Sequence, residues 1–156
     1  MQEVFVITAK QYLKELKRLD TSIQSKMQEK KDLYSGTVGA IRMDKEQVQA
    51  SGSNDMIPNL IERVAALEQE INHEIAVFVD RKHEIIAQIN MLANENHVSL
   101  LLKRYVEYKR LEEIATEMGY TYQHIRREHG KALSEFGQMF AKEISAYYKD
   151  PTQSHI

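Results

Sequence analysis

The chain has 156 residues, room for one domain or for a small domain joined to an extended element. Its 21 basic and 23 acidic side chains leave a formal charge of -2, which excludes a polybasic protein. With no cysteine, disulfides, thiolate metal sites and a cysteine nucleophile are excluded too.

Two prolines, six glycines and 28% charged residues point to a helix-rich protein, and the lack of cysteine suits a reducing compartment such as a cytoplasm. The apolar run at residues 4–7 is too short for a signal peptide, and no stretch approaches the ~20 residues of a membrane span. Charge is uneven along the chain. Residues 8–34 carry seven basic and four acidic side chains, residues 35–97 five and ten, and residues 98–133 seven and five. Basic charge returns where a compact motif begins, a pattern found in proteins with a nucleic-acid face.

Thr8-Ala9-Lys10-Gln11 has the form of a capping box, and Tyr12, Leu16, Leu19, Ile23, Met27 and Tyr34 follow at helical spacing. A first helix is expected to run to about Leu33 and to break at residues 35–39, which read SGTVG; a long polar loop then reaches Asp55. Pro58 suits a first helical turn. From there Leu60, Val64, Leu67, Ile71, Ile75, Phe78, Ile85, Ile89 and Leu92 alternate by three and four, with Lys82 in the one missing step. Ile61, Val79 and Ile86 widen this stripe beyond what one antiparallel partner helix covers. The expectation is a coiled-coil hairpin that associates with a second copy as a homodimer. The competing expectation is a C-terminal domain folded back over the stripe.

Residues 110–136 read RLEEIATEMGYTYQHIRREHGKALSEF. Leu111, Ile114, Ala115 and Met118 form one apolar face, Gly119 is a left-handed helix stop, and Thr121 can cap a second helix with Ile125, Ala132, Leu133 and Phe136 on one side. This is the pattern of a helix-turn-helix. With Ile125 at the core, Gln123, Arg127, Gly130, Lys131 and Ser134 point outward, flanked by His124 and Arg126. Arginine can read guanine, glutamine can read adenine, and lysine and serine can hold phosphates. The plain alternative is an exposed helical pair charged only for solubility. Val98, Leu101, Leu102 and Tyr105 form a helix that backs the pair.

Leu101-Leu102-Lys103-Arg104-Tyr105, with Leu111-Glu112-Glu113-Ile114-Ala115, Gly119-Tyr120-Thr121, Ile125-Arg126-Arg127 and Lys131-Ala132-Leu133, resembles region four of bacterial sigma factors over about forty residues. That domain recognises the promoter −35 element and binds the β-flap of RNA polymerase. As a whole the chain is similar to phage- and prophage-encoded regulators of late-gene or autolysin type, with a coiled-coil N-terminal half. Val48-Gln49-Ala50-Ser51-Gly52 and Tyr105-Val106-Glu107 add to the likeness.

The resemblance implies DNA-reading roles for Tyr122, Gln123, His124, Arg126 and Arg127, to which the outward-facing Lys131 is added. Two departures stand out. Tyr122-Gln123 replaces the usual Arg-Glu opening of the reader helix, and Tyr108 and Arg110 replace the Gly and Ser/Thr that precede the scaffold helix. The first bears on whether a standard −35 sequence is read, the second on the helix cap.

The expected architecture is all-α: a long antiparallel helical hairpin over residues 1–95, a sigma-region-four-like helix-turn-helix domain over 96–149, and a disordered tail over 150–156. Phe136, Phe140, Ile144, Tyr147 and Tyr148 continue an apolar stripe beyond the reader helix, expected as an extended C-terminal helix that packs on the hairpin or on a partner subunit, with base-stacking aromatics as the alternative. Glu70-x-x-His73 and Asp80-x-x-His83 have metal-ligand spacing but fall on different helix faces, and are read as solvated. Gly36-x-x-Gly39 lacks the Lys-Ser/Thr of a phosphate loop, and no acid–base pair or nucleophile elbow is visible.

No enzyme activity, metal or cofactor is expected. The functional expectation is a regulator that binds double-stranded DNA at promoters, with RNA polymerase as the further partner the resemblance implies. The alternative is a module that docks on RNA polymerase or another host protein without strong DNA binding. A small terminase subunit fits less well, because there the reader usually comes first in the chain.

Overall fold

The computed structural model describes residues 2–46 and 56–150, and the secondary structure of these residues is entirely helical. In chain order the elements are α1 (Gln2–Glu46), α2 (Met56–Ile89), α3 (Glu95–Leu101) with a π-helical turn at Leu102–Val106, α4 (Leu111–Met118), α5 (Tyr122–Met139) and α6 (Ala141–Lys149). Residues 47–55, where the expected loop falls in part, and residues 151–156 of the expected tail lie outside the described residues. No helix among the described residues is long and apolar enough to cross a membrane.

Two helix boundaries differ from the sequence reading, each for a local reason. Thr8 does not cap α1 but lies inside it, and its hydroxyl donates back to the Val4 carbonyl at 2.9 Å. Starting at Gln2 allows Phe5 to pack against Gly137, a contact no N-cap pattern reveals. Nor does α1 break at residues 35–39. Gly36 and Gly39 keep helical backbone, and Ser35 donates to the Lys31 carbonyl at 3.0 Å, so the glycines cost helix propensity without ending the helix.

The described residues form two compact units, one from Met1–Leu19 with Val79–Ile156 and one from Asp20–Phe78. Among the described residues the second unit is built from α1 and α2. Ile23, Leu67 and Ile71 are buried there; Ser22 donates to Glu74 at 3.1 Å, Lys26 pairs with Glu74 and Glu70, and Lys30 with Glu68 at 3.2 Å. Partner numbers fall on α2 as they rise on α1, so the two segments run in opposite directions within this unit.

The seam of α2 also differs from the one read in the sequence. Its buried steps are Glu74, Arg81 and Gln88, where Ile75 and Lys82 were expected; Ile75 is 38% exposed. Partners on other helices explain this. Glu74 meets Ser22 and Lys26, and Gln88 accepts from the Tyr12 hydroxyl at 3.1 Å. The Arg81 guanidinium lies between the rings of Tyr12 (4.8 Å) and Tyr147 (4.2 Å) and donates to Glu84 at 2.6 Å.

The first unit carries most of the core. Tyr12, Leu13 and Leu16 of α1, Ile85 and Ile89 of α2, Leu100 and Leu101 of α3, Ile114 of α4 and Ile125, Leu133 and Phe136 of α5 are all fully buried. Burying each such side chain is worth about 1.5–3 kcal/mol, so α5 is fixed from several sides. The aromatic stripe past α5 bends at Phe140 (φ −111°, ψ 25°) instead of continuing straight. That bend buries Phe140 and Ile144 together and lets Tyr147 meet the Tyr12 ring edge-on at 5.5 Å.

Candidate nucleic-acid interface

The position of α5 follows from three local devices. Gly119 ends α4 in the left-handed region (φ 73°), where its lack of a Cβ removes the strain. Its N–H bonds the Thr116 carbonyl at 3.3 Å and the Tyr120 N–H the Ala115 carbonyl at 2.9 Å, closing the turn. Thr121 then accepts the His124 N–H at 3.2 Å as the N-cap of α5. Behind this bend Leu100, Ile114, Ala115 and Ile125 form one buried cluster, with Leu111 and Met118 at its edge.

The entry to α4 is held by charge. Glu117 accepts from Lys103 at 2.6 Å and pairs with Lys109 at 2.8 Å, and these lysines, Lys103 first, hold its carboxyl below the usual range. Glu107, then Glu117, raise the Lys109 ammonium above its ordinary value. Arg104 donates to the Lys109 carbonyl at 2.8 Å. Tyr108 stands in the left-handed region (φ 59°). Arg110 supplies no hydroxyl cap; instead its backbone N–H donates to Glu113 at 2.8 Å.

Of the residues singled out in the sequence, Tyr122, Gln123, Arg126, Arg127 and Lys131 are exposed and His124 is half-buried. All six lie on α5. Gln123, Arg126 and Arg127 make no hydrogen bond or ion pair with the described residues. Lys131 is tied to Glu128 at 2.8 Å, which leaves it less available than the two arginines. His124 stacks on Tyr120, with ring centroids 4.6 Å apart. A cleft runs along the C-terminal half of this face, walled by Arg127, Gly130, Lys131, Ser134 and Gln138 of α5 and by Glu3, Val6 and Ile7 of α1. The N-terminal half, around Gln123 and Arg126, lies clear of it.

Two histidines support α5 from behind. Both ring nitrogens of His97 face carboxylates, Nδ1 to Glu135 at 2.6 Å and Nε2 to Glu128 at 3.1 Å. Glu128 is held below the usual carboxylate range by Lys131 first and His97 second. His129 is buried against Tyr105; desolvation, then Arg104, Lys10 and Lys14, push it down to about 4. It is therefore neutral near pH 7.

Sequence reading missed one group near the interface. Lys10, Lys14 and Lys17 project from α1 at steps of four and three, all exposed, with no carboxylate partner among the described residues. Lys14 is held below the usual lysine range by desolvation first, then by Lys10, Arg104 and Lys17, so these three cations each sit within electrostatic reach of Lys14. The excess of basic residues over 8–34 was the only signal of them. Comparison with family models, with curated proteins and with solved structures gave no match to this chain.

Proposed function

We propose that this protein is a sequence-specific regulator of transcription, of the phage type its C-terminal half resembles. In this reading α4, the bend at Gly119 and α5 act as a sigma-region-four-like helix-turn-helix on double-stranded DNA. The N-terminal half of α5 enters the major groove. Arg126 and Arg127 meet guanine edges or phosphates, Gln123 meets adenine, and Tyr122, His124 and Lys131 flank them. α1 and α2 form a long antiparallel coiled-coil hairpin that joins two copies and sets the distance between their readers. The reading needs no cofactor, metal or catalytic step, and its site of action is the host cytoplasm, with RNA polymerase as a neighbour on the promoter.

One observation carries it: Gln123, Arg126 and Arg127 are exposed, and unpaired among the described residues, at the capped start of a helix fixed from behind by a continuous core. Gel-shift titration on duplexes selected from a random pool tests the reading. Arg127→Ala is expected to weaken binding by about 1–3 kcal/mol and to relax the preference at one base position. Equal affinity of variant and wild type, or a selection that enriches no duplex, refutes it.

The cleft beside Arg127, with Val6 and exposed Ile7 in its wall, favours a second reading: a module that docks on RNA polymerase or another protein without strong DNA binding. Capture of polymerase combined with no gel shift at low salt favours that one.

A further inference from the structure

The cations of α1 are treated differently along its length. Lys26 and Lys30 are met by Glu70, Glu74 and Glu68 of α2, whereas Lys10, Lys14 and Lys17, in the unit that also carries α5, meet no carboxylate among the described residues. Arg18, close by in sequence, is held by Glu15 at 2.9 Å. A helix step of 1.5 Å spreads Lys10 to Lys17 over about 10 Å, and at that spacing they form a ridge on one face of α1. Arg104, from the π-helical turn, adds a fourth cation, and its guanidinium is fixed by the Lys109 carbonyl. Arg104, Lys10 and Lys14 lie within electrostatic reach of His129 of α5, and Arg126 lies one helical turn before His129.

Unpaired, mutually repelling ammonium groups destabilise a fold slightly, and a polyanion relieves that repulsion. Duplex DNA offers one phosphate per 3.4 Å of axis on each strand, so a ridge of about 10 Å spans about three phosphates. Lysines suit this role: they hold phosphate as mobile point charges and carry no base information.

We propose that Lys10, Lys14 and Lys17 of α1, with Arg104, form a phosphate-binding ridge that grips the DNA backbone beside the segment read by α5. This rests on the DNA-binding reading above and extends it. A helix expected only to join subunits thereby contributes affinity, and α5 contributes sequence preference.

The test measures the salt dependence of binding to a scrambled-sequence duplex, and separately the ratio of affinities for a selected and the scrambled duplex. The triple variant Lys10→Gln, Lys14→Gln, Lys17→Gln is expected to lower the slope of log K against log salt by about 2 to 3, since each lost phosphate contact removes about 0.9. The affinity ratio should stay at the wild-type value. The triple Lys→Arg variant should keep the wild-type slope, and unchanged thermal melting of both variants excludes a folding defect. Arg104 is left in place because it holds the loop before α4. A Gln variant with the wild-type slope overturns the ridge and leaves the reading of α5 standing. No binding of wild type to either duplex at low salt overturns both.

Discussion

The Tyr105 hydroxyl lies 2.8 Å from Nε2 of His129, and their rings stack at 5.8 Å, joining the π-helical turn to α5 inside the core. Burial raises the Tyr105 phenol well above its usual range and lowers His129 to about 4, so the pair is neutral at pH 7. A histidine depressed on folding contributes stability that is fully present above its unfolded value of about 6.5 and is lost as pH falls through about 4. The loss should reach about 3 kcal/mol below that window. Urea melts at a series of pH values on wild type and His129→Gln check this. The difference between the two proteins should change between pH 6.5 and 4 and stay constant above. Lysine-to-glutamine changes at Lys10 and Lys14 should weaken the acid loss, because both residues help hold His129 down. A constant difference across the whole range refutes the assignment.

His97 presents a different chemistry. Its two ring nitrogens face Glu128 and Glu135, at 3.1 and 2.6 Å. The residue therefore clamps the start of α3 to the middle of α5. Replacing it with alanine leaves two carboxylates about one ring apart with nothing between them. His97→Ala should cost about 2 kcal/mol in a denaturant melt at pH 6. Glu135→Gln should cost less, because an amide oxygen still accepts the Nδ1 proton. Equal stability of His97→Ala and wild type would show that the clamp adds nothing.

The two glycines inside α5 make opposite predictions. A Cβ at Gly137 would collide with the backbone of Phe5, so Gly137→Ala must push α1 away from α5 and should destabilise by about 1–3 kcal/mol. A Cβ at Gly130 meets nothing within 4 Å. There alanine should stabilise the helix by about 0.5–1 kcal/mol. Thermal melts of the two single variants decide, and shifts of the same sign in both would count against the packing of Phe5 on α5.

What was legible in the sequence was local. The bend at Gly119, the Thr121 cap and the apolar faces around Ile114 and Ile125 each depend on residues within a few positions of one another, and the structure has them as read. What was hidden depends on partners far along the chain. Periodicity assigned Ile75 and Lys82 to the seam of α2, because it scores apolarity and cannot know that Lys26 waits for Glu74 or that two tyrosine rings flank Arg81. His97 drew no attention, since its carboxylates lie 31 and 38 residues away. The start of α1 was misplaced for the same reason. Thr8 has the chemistry of a cap, but the contact of Phe5 with Gly137 lies on another helix.

The face of α2 left over by this seam bears on self-association. Glu74 and Arg81 take the buried steps, so Ile75 is turned out at 38% exposure; Ile61 and Val79, elsewhere on the same helix, are exposed at 55% each. Isolated exposed apolar residues are ordinary, but three β-branched ones on a single helix are a surface that a second copy would bury. The proposed coiled-coil dimer therefore makes a sharp demand on sedimentation. Wild type should sediment as a dimer, and Ile61→Lys with Ile75→Lys as a monomer with unchanged helical circular dichroism, since neither side chain supports the core of its own chain. Monomeric readers would also bind a two-half-site duplex more weakly than the dimer, because the second contact would no longer be intramolecular. If the double variant keeps the wild-type mass, the dimer is not built on this face of α2, and the spacing of the readers must be set elsewhere.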